Sequence, residues 1–145
     1  MTEPCSHMTE TTKAASGCDL PAVLLVDDDP LVRESLADLL RELPLFVLEA
    51  ASGEQSVAVL DCRPDIRLLV TDMMMPGMDG RRLAATARRM RPDLPVLFLS
   101  GLDRPSDGEA FLAKPVPAGT LLSIVDRMIS QVEPARRSYR AAQTA

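Results

Sequence analysis

The chain has 145 residues, is 46% hydrophobic and 26% charged, and carries a formal net charge of −5. That balance fits one ordinary globular domain with a real core and excludes a disordered chain, and the acidic sign argues against nucleic-acid binding, which needs a basic face. Cys5, Cys18 and Cys62 share no Cys-x-x-Cys spacing and His7 is the only histidine, so neither a disulfide framework, a zinc site nor a histidine-based catalytic triad follows.

Residues 1–20 are polar and patternless, and predict a flexible tail in which Ser6-His7-Met8 reads as an expression-vector remnant. The stretch ASGC (15–18) superficially matches a lipoprotein cleavage site, but no apolar segment precedes it. AVLLV (22–26) is a buried-strand run, and Val32, Leu36, Leu39, Leu40 and Leu43 follow at helical spacing behind Pro30. FVLEA (46–50) predicts the second strand and Gly53 to Cys62 a weaker helix. RLLVT (67–71) is the third strand, and Leu83, Ala84, Ala87 and Met90 mark the third helix. LPVLFL (94–99) and AFLA (110–113) are the fourth and fifth strands. The last helix places Leu121, Val125, Met128, Ile129 and Val132 on one face, and residues 133–145, with Arg136, Arg137 and Arg140, predict a solvated tail. The domain is therefore expected over 21–132. No apolar run approaches the length that crosses a membrane, and a cytoplasmic protein is expected.

Strands alternating with helices predict an α/β domain, a parallel sheet covered on both faces. Ligands in such sheets bind beyond the carboxyl ends of the strands. There the sequence places Asp27, Asp28 and Asp29 after the first strand, Asp72 after the third, Ser100 after the fourth and Lys114 after the fifth. Adjacent carboxylates repel by ~3 kcal/mol per pair at about 5 Å and an effective dielectric near 20, so something must neutralise them. A magnesium ion, which takes hard oxygen ligands, and a phosphoryl group suit this set. Lys114 is one of only two lysines, the other being Lys13, and lysine offers a compact positive charge to a phosphate oxygen.

Taken together and in this order, VLLVDDDPLVRESL, LLVTDMMMPGMDG, LFLSG and FLAKPV resemble the receiver domain of two-component response regulators, over residues 22–132. The resemblance implies a five-stranded parallel sheet in the flavodoxin-like order 2-1-3-4-5. It makes Asp72 the phospho-acceptor, attacking a phosphohistidine on a partner histidine kinase or histidine phosphotransfer protein. Asp28 would bind Mg2+ directly, Asp27 through water, and Met74 through its backbone carbonyl. Ser100 matches the hydroxyl that moves toward the phosphoryl group, Lys114 the lysine that pairs with it, and Phe111 the aromatic switch position. The Lys114–Pro115 bond is expected to be cis. Asp29 is left to cap the first helix, as Asp79 caps the third. Met73 to Met75 and Cys62 are expected to be packing residues.

One segment departs from the family. Only residues 101–109, GLDRPSDGE, separate Ser100 from the fifth strand, whereas a crossover with a helix needs about 10–12 residues or more. The fourth helix is therefore predicted to be shortened or absent, and with it the usual output face. No output domain follows Val132, so a stand-alone receiver or a piece of a hybrid histidine kinase is expected, serving as relay or sink rather than full switch. Apolar Met74 and Leu102 beside the site predict slow loss of the phosphoryl group. An aspartate-nucleophile phosphatase of the haloacid dehalogenase type could use Asp27 and Asp29, but would leave Asp72 unexplained and lacks its later acidic pair. The chain is expected to act on no nucleic acid or membrane and to be no conventional enzyme.

Overall fold

The computed structural model describes residues 20–101 and 108–144. The elements run β1 (Ala22–Val26), α1 (Pro30–Leu40), β2 (Phe46–Ala50), α2 (Gly53–Cys62), β3 (Ile66–Asp72), α3 (Gly80–Met90), β4 (Val96–Ser100), β5 (Ala110–Ala113) and α4 (Ala118–Thr144). The strands form one parallel sheet in the order β2-β1-β3-β4-β5, as the sequence resemblance implies.

β1 lies inside the sheet and all five of its residues are buried. Because side chains alternate across a strand, it feeds both layers. Ala22, Leu24 and Val26 join Val59 and Leu60 of α2 and Leu83 and Ala87 of α3 in one core cluster. Val23 and Leu25 join Leu36, Ala37 and Leu40 of α1 and Leu121, Val125 and Ile129 of α4 in the other. Truncating such a buried leucine to alanine costs about 2–5 kcal/mol, so the two clusters hold the scaffold on which the site stands.

Local chemistry sets the helix starts. Pro30 opens α1 behind the N-cap Asp29, where a missing N–H costs nothing. Ser52 caps α2 by accepting from the Gln55 amide, and Gln55 accepts from the Ala51 amide in return. Asp79 caps α3 by accepting from the Arg82 amide at 2.9 Å. At the opposite edge of the sheet the Arg91 guanidinium donates to the carbonyls of Leu60, Arg63 and Ile66, clipping the end of α2 to the start of β3.

The structure refines several expectations. β3 and β4 each run one residue further than their apolar stretches, so Asp72 and Ser100 are the last residues of their strands. Leu43 and Leu94 lie in turns rather than in α1 and β4, although both are in the packed interior or against it. α4 continues to Thr144, past the last residue of its apolar periodicity, because Ala, Arg and Gln are good helix formers. Cys62 is disulfide-bonded rather than a simple packing residue. Four helices are described, none between β4 and β5. Residues 102–107, on which the shortened fourth helix falls, lie outside the described residues, as does the expected tail over 1–19. Among the described residues no helix is long and apolar enough to cross a membrane.

Candidate functional site

The ends of four strands, β1, β3, β4 and β5, bring the predicted residues to the carboxyl edge of the sheet. Asp27, directly after β1, is fully buried and tightly held. Its amide donates to the Ala50 carbonyl at 3.2 Å, and its Oδ1 accepts from the Asp29 amide at 2.9 Å. Asp29 turns outward and accepts from the amides of Leu31 and Val32 at 3.0 and 3.5 Å. One of the three adjacent acids is thus a helix cap, and two are left for other work.

Asp28 is exposed, and Asp72 is buried at the end of β3. One carboxylate oxygen from each of Asp27, Asp28 and Asp72 lies within 4.8 Å of the others. Repulsion at that range amounts to ~3 kcal/mol per pair at an effective dielectric near 20. Lys114, just past β5, answers part of it: its Nζ sits 3.2 Å from Asp27 Oδ2 and 3.3 Å from Asp72 Oδ1. Burial lifts the Asp72 carboxyl above its ordinary pKa; Lys114 opposes that rise and Asp27 adds to it. Burial works against the Lys114 ammonium, but Asp27 and Asp72 outweigh it and hold the lysine above its ordinary value. One cation facing three carboxylates leaves a surplus of negative charge on hard oxygen donors, and a hard divalent cation fits that set.

The remaining predicted residues lie on β4, β5 and the segment after β3. Ser100 is buried at the end of β4, and its carbonyl accepts from the Lys114 amide at 2.8 Å. Met74, two residues beyond Asp72, is 62% exposed, whereas Met73 and Met75 are buried in the core. The Met74 amide donates to Asp72 Oδ1 at 3.4 Å. Phe111 lies opposite Phe98 on β5 and packs, half-buried, against the core shared with α2 and α3. The Lys114–Pro115 peptide is cis. Leu102, the other residue expected to flank the site, lies outside the described residues.

Residues 23–126 match the response regulator receiver domain family. The chain belongs to that family. Among curated proteins it is 38% identical to the response regulator protein FleR of Pseudomonas aeruginosa, over 72% of this chain and 24% of that one. It is 33% identical to the transcriptional regulatory protein GlrR of Escherichia coli (strain K12), over 78% of this chain and 27% of that one. The chain therefore spans about a quarter of the length of these relatives. Among solved structures, the receiver domain from the hybrid histidine kinase CckA superposes with a TM-score of 0.67 at 38% identity, covering 74% of this chain and 98% of that one. The protein is a receiver domain of the two-component phosphorelay type, related to both transcriptional regulators and hybrid kinases.

Two features of this receiver escaped the sequence reading. Arg33 donates to the Asp27 carbonyl at 2.8 Å, a main-chain contact that no residue pattern announces. Gly80 lets the start of α3 approach the backbone of Asp72 and Met73. Its place directly after the capping Asp79 was the available signal.

Proposed function

We propose that residues 21–132 act as the phosphoryl-accepting unit of a phosphorelay. Asp72 takes a phosphoryl group from a phosphohistidine on a partner histidine kinase or histidine phosphotransfer protein, with Mg2+ as the metal. The domain then serves as relay, sink or switch. The observation that carries this reading is the Lys114 ammonium held between Asp27 and Asp72, at 3.2 and 3.3 Å, beside a three-carboxylate cluster.

In the transfer an Asp72 carboxylate oxygen attacks phosphorus. The new O–P bond forms as the histidine N–P bond breaks, and the histidine nitrogen keeps the electron pair. Asp28 and Asp72 would hold the metal, with Asp27 acting through water and Met74 offering its backbone carbonyl. Bound there, Mg2+ supplies positive charge for the oxygens of the transferring group. Lys114 already faces an Asp72 oxygen, so its ammonium is placed to follow the charge onto the phosphoryl oxygens. Ser100 offers a hydroxyl to the same group, and Phe111 follows Ser100 as the switch aromatic. The chain is no conventional enzyme on this reading: it promotes only its own phosphorylation and dephosphorylation. On the same reading neither nucleic acid nor membrane is a partner, and the cytoplasm is the compartment.

Intact mass after incubation with acetyl phosphate and Mg2+, beside an Asp72→Asn control, tests this. One added phosphoryl group, dependent on Mg2+ and absent from the control, is expected. An adduct that persists in Asp72→Asn would reassign the acceptor. No adduct from acetyl phosphate or from a phosphorylated histidine phosphotransfer protein would overturn the reading.

A further inference from the structure

A peptide unit is planar, so whatever fixes the Asp27 carbonyl also fixes the amide of Asp28 on the same plane. Arg33, in the first turns of α1, does this with a guanidinium N–H donated to the Asp27 oxygen at 2.8 Å. Its Nε donates to Glu49 Oε1 at 3.1 Å. Glu49 stands on β2 in register with Leu25 of β1. Its second oxygen accepts from Arg41, the C-cap residue of α1, at 3.2 Å. The Arg33 and Glu49 side chains are 18% and 28% exposed, sheltered enough for the fork to hold one geometry. A pair that only fastened α1 to β2 would need no contact with the peptide joining two acids. The guanidinium meets the main chain of Asp27, not its carboxylate, so it orients the acids without occupying their ligand oxygens.

We propose that Arg33, anchored by Glu49, is a positioning residue for the acid pair, setting the peptide plane between Asp27 and Asp28 and hence where Asp28 presents its carboxylate to a divalent cation. The inference rests on the reading of Asp27, Asp28 and Asp72 as the metal cluster. Arginine suits the task because its planar fork can serve a carbonyl and a carboxylate at once, which a lysine ammonium does less well.

The test is calorimetric titration of Mg2+ into the full chain and into Arg33→Ala, Arg33→Lys and Glu49→Gln, with thermal unfolding of each in metal-free buffer. Loss of groups that orient metal ligands weakens affinity roughly ten- to hundredfold, and that loss is expected for Arg33→Ala. Partial recovery is expected in Arg33→Lys and a smaller loss in Glu49→Gln. A lowered unfolding temperature with wild-type Mg2+ affinity would make Arg33 a mere fastener and overturn the proposal. If Arg33→Ala does not fold, Glu49→Gln decides, because it keeps the guanidinium and weakens only its anchor; wild-type affinity there overturns the proposal too. A wild-type chain that takes up no Mg2+ would instead overturn the metal reading beneath it.

Discussion

Gly80 shows how much one missing carbon can matter to the site. It is the first residue of α3, and its amide donates to the Met73 carbonyl at 3.0 Å. A Cβ there would lie 2.8 Å from Met73 Cα and closer still to the Asp72 carbonyl oxygen, both backbone atoms that cannot swing away. The requirement is therefore close approach, not an unusual backbone angle. Gly80→Ala is expected to destabilise by about 1–3 kcal/mol, the usual range for overpacking, and to slow labelling by acetyl phosphate as the end of β3 shifts. Denaturant unfolding followed by circular dichroism checks the first effect; wild-type stability would mean that α3 can retreat without cost. Two features were legible at this scale: the split of the capping Asp29 from Asp27 and Asp28, marked by its place before Pro30, and the gathering of Lys114 with the acids at the strand ends, although its direct pairing with Asp27 and Asp72 was not foreseen. Arg33 and Gly80 were not, because each meets main chain, and every residue carries the same carbonyl.

Between elements, the join of α3 to β5 rests on a two-pronged ion pair. Arg88, in the last turn of α3, donates to both oxygens of Glu109 at 3.1 and 2.7 Å, just before β5. The hydrogen bond from Arg88 holds the Glu109 carboxyl below its ordinary range despite the opposing effect of burial. A depressed carboxyl pKa contributes stability above the unfolded value, and that contribution is lost as pH falls through the folded one. Glu109→Gln is therefore expected to melt slightly below wild type near neutral pH, by the ~0.5 kcal/mol typical of a partly exposed pair. The difference should close once pH falls below the ordinary glutamate range. Melting curves across pH check this, and a gap that persists in acid would assign the effect to packing. Element existence and order were readable from apolar periodicity, but ends were not. β3 and β4 run through Asp72 and Ser100 because the hydrogen-bonded ladder continues opposite Leu99 and Ala113, whatever the polarity of the side chain.

For the molecule as a whole, the open matter is how far a change at Asp72 travels. Only nine residues, 101–109, join β4 to β5, and no helix is described between them. With so short a connection on that side, a phosphoryl mimic is expected to move NMR signals close to the site, at Asp27–Asp29, Asp72–Met74, Ser100 and Lys114. A large cooperative shift across residues 100–113 would instead mark a true switch. The layers were legible because alternating strand and helix patterns imply a parallel sheet covered on both faces, whereas the strand order followed from the family resemblance alone. A second consequence of that topology concerns synthesis. β1 is made first yet sits inside the sheet, and its second neighbour β3 is complete only roughly 46 residues later. At about 5–20 residues per second, an uninterrupted apolar run of the kind that seeds aggregates waits for seconds with the edge that β3 will cover still open. Charges placed against such a run discourage self-association. Asp27, Asp28 and Asp29 are charges of that kind, set directly against the strand before any metal, donor or fold exists.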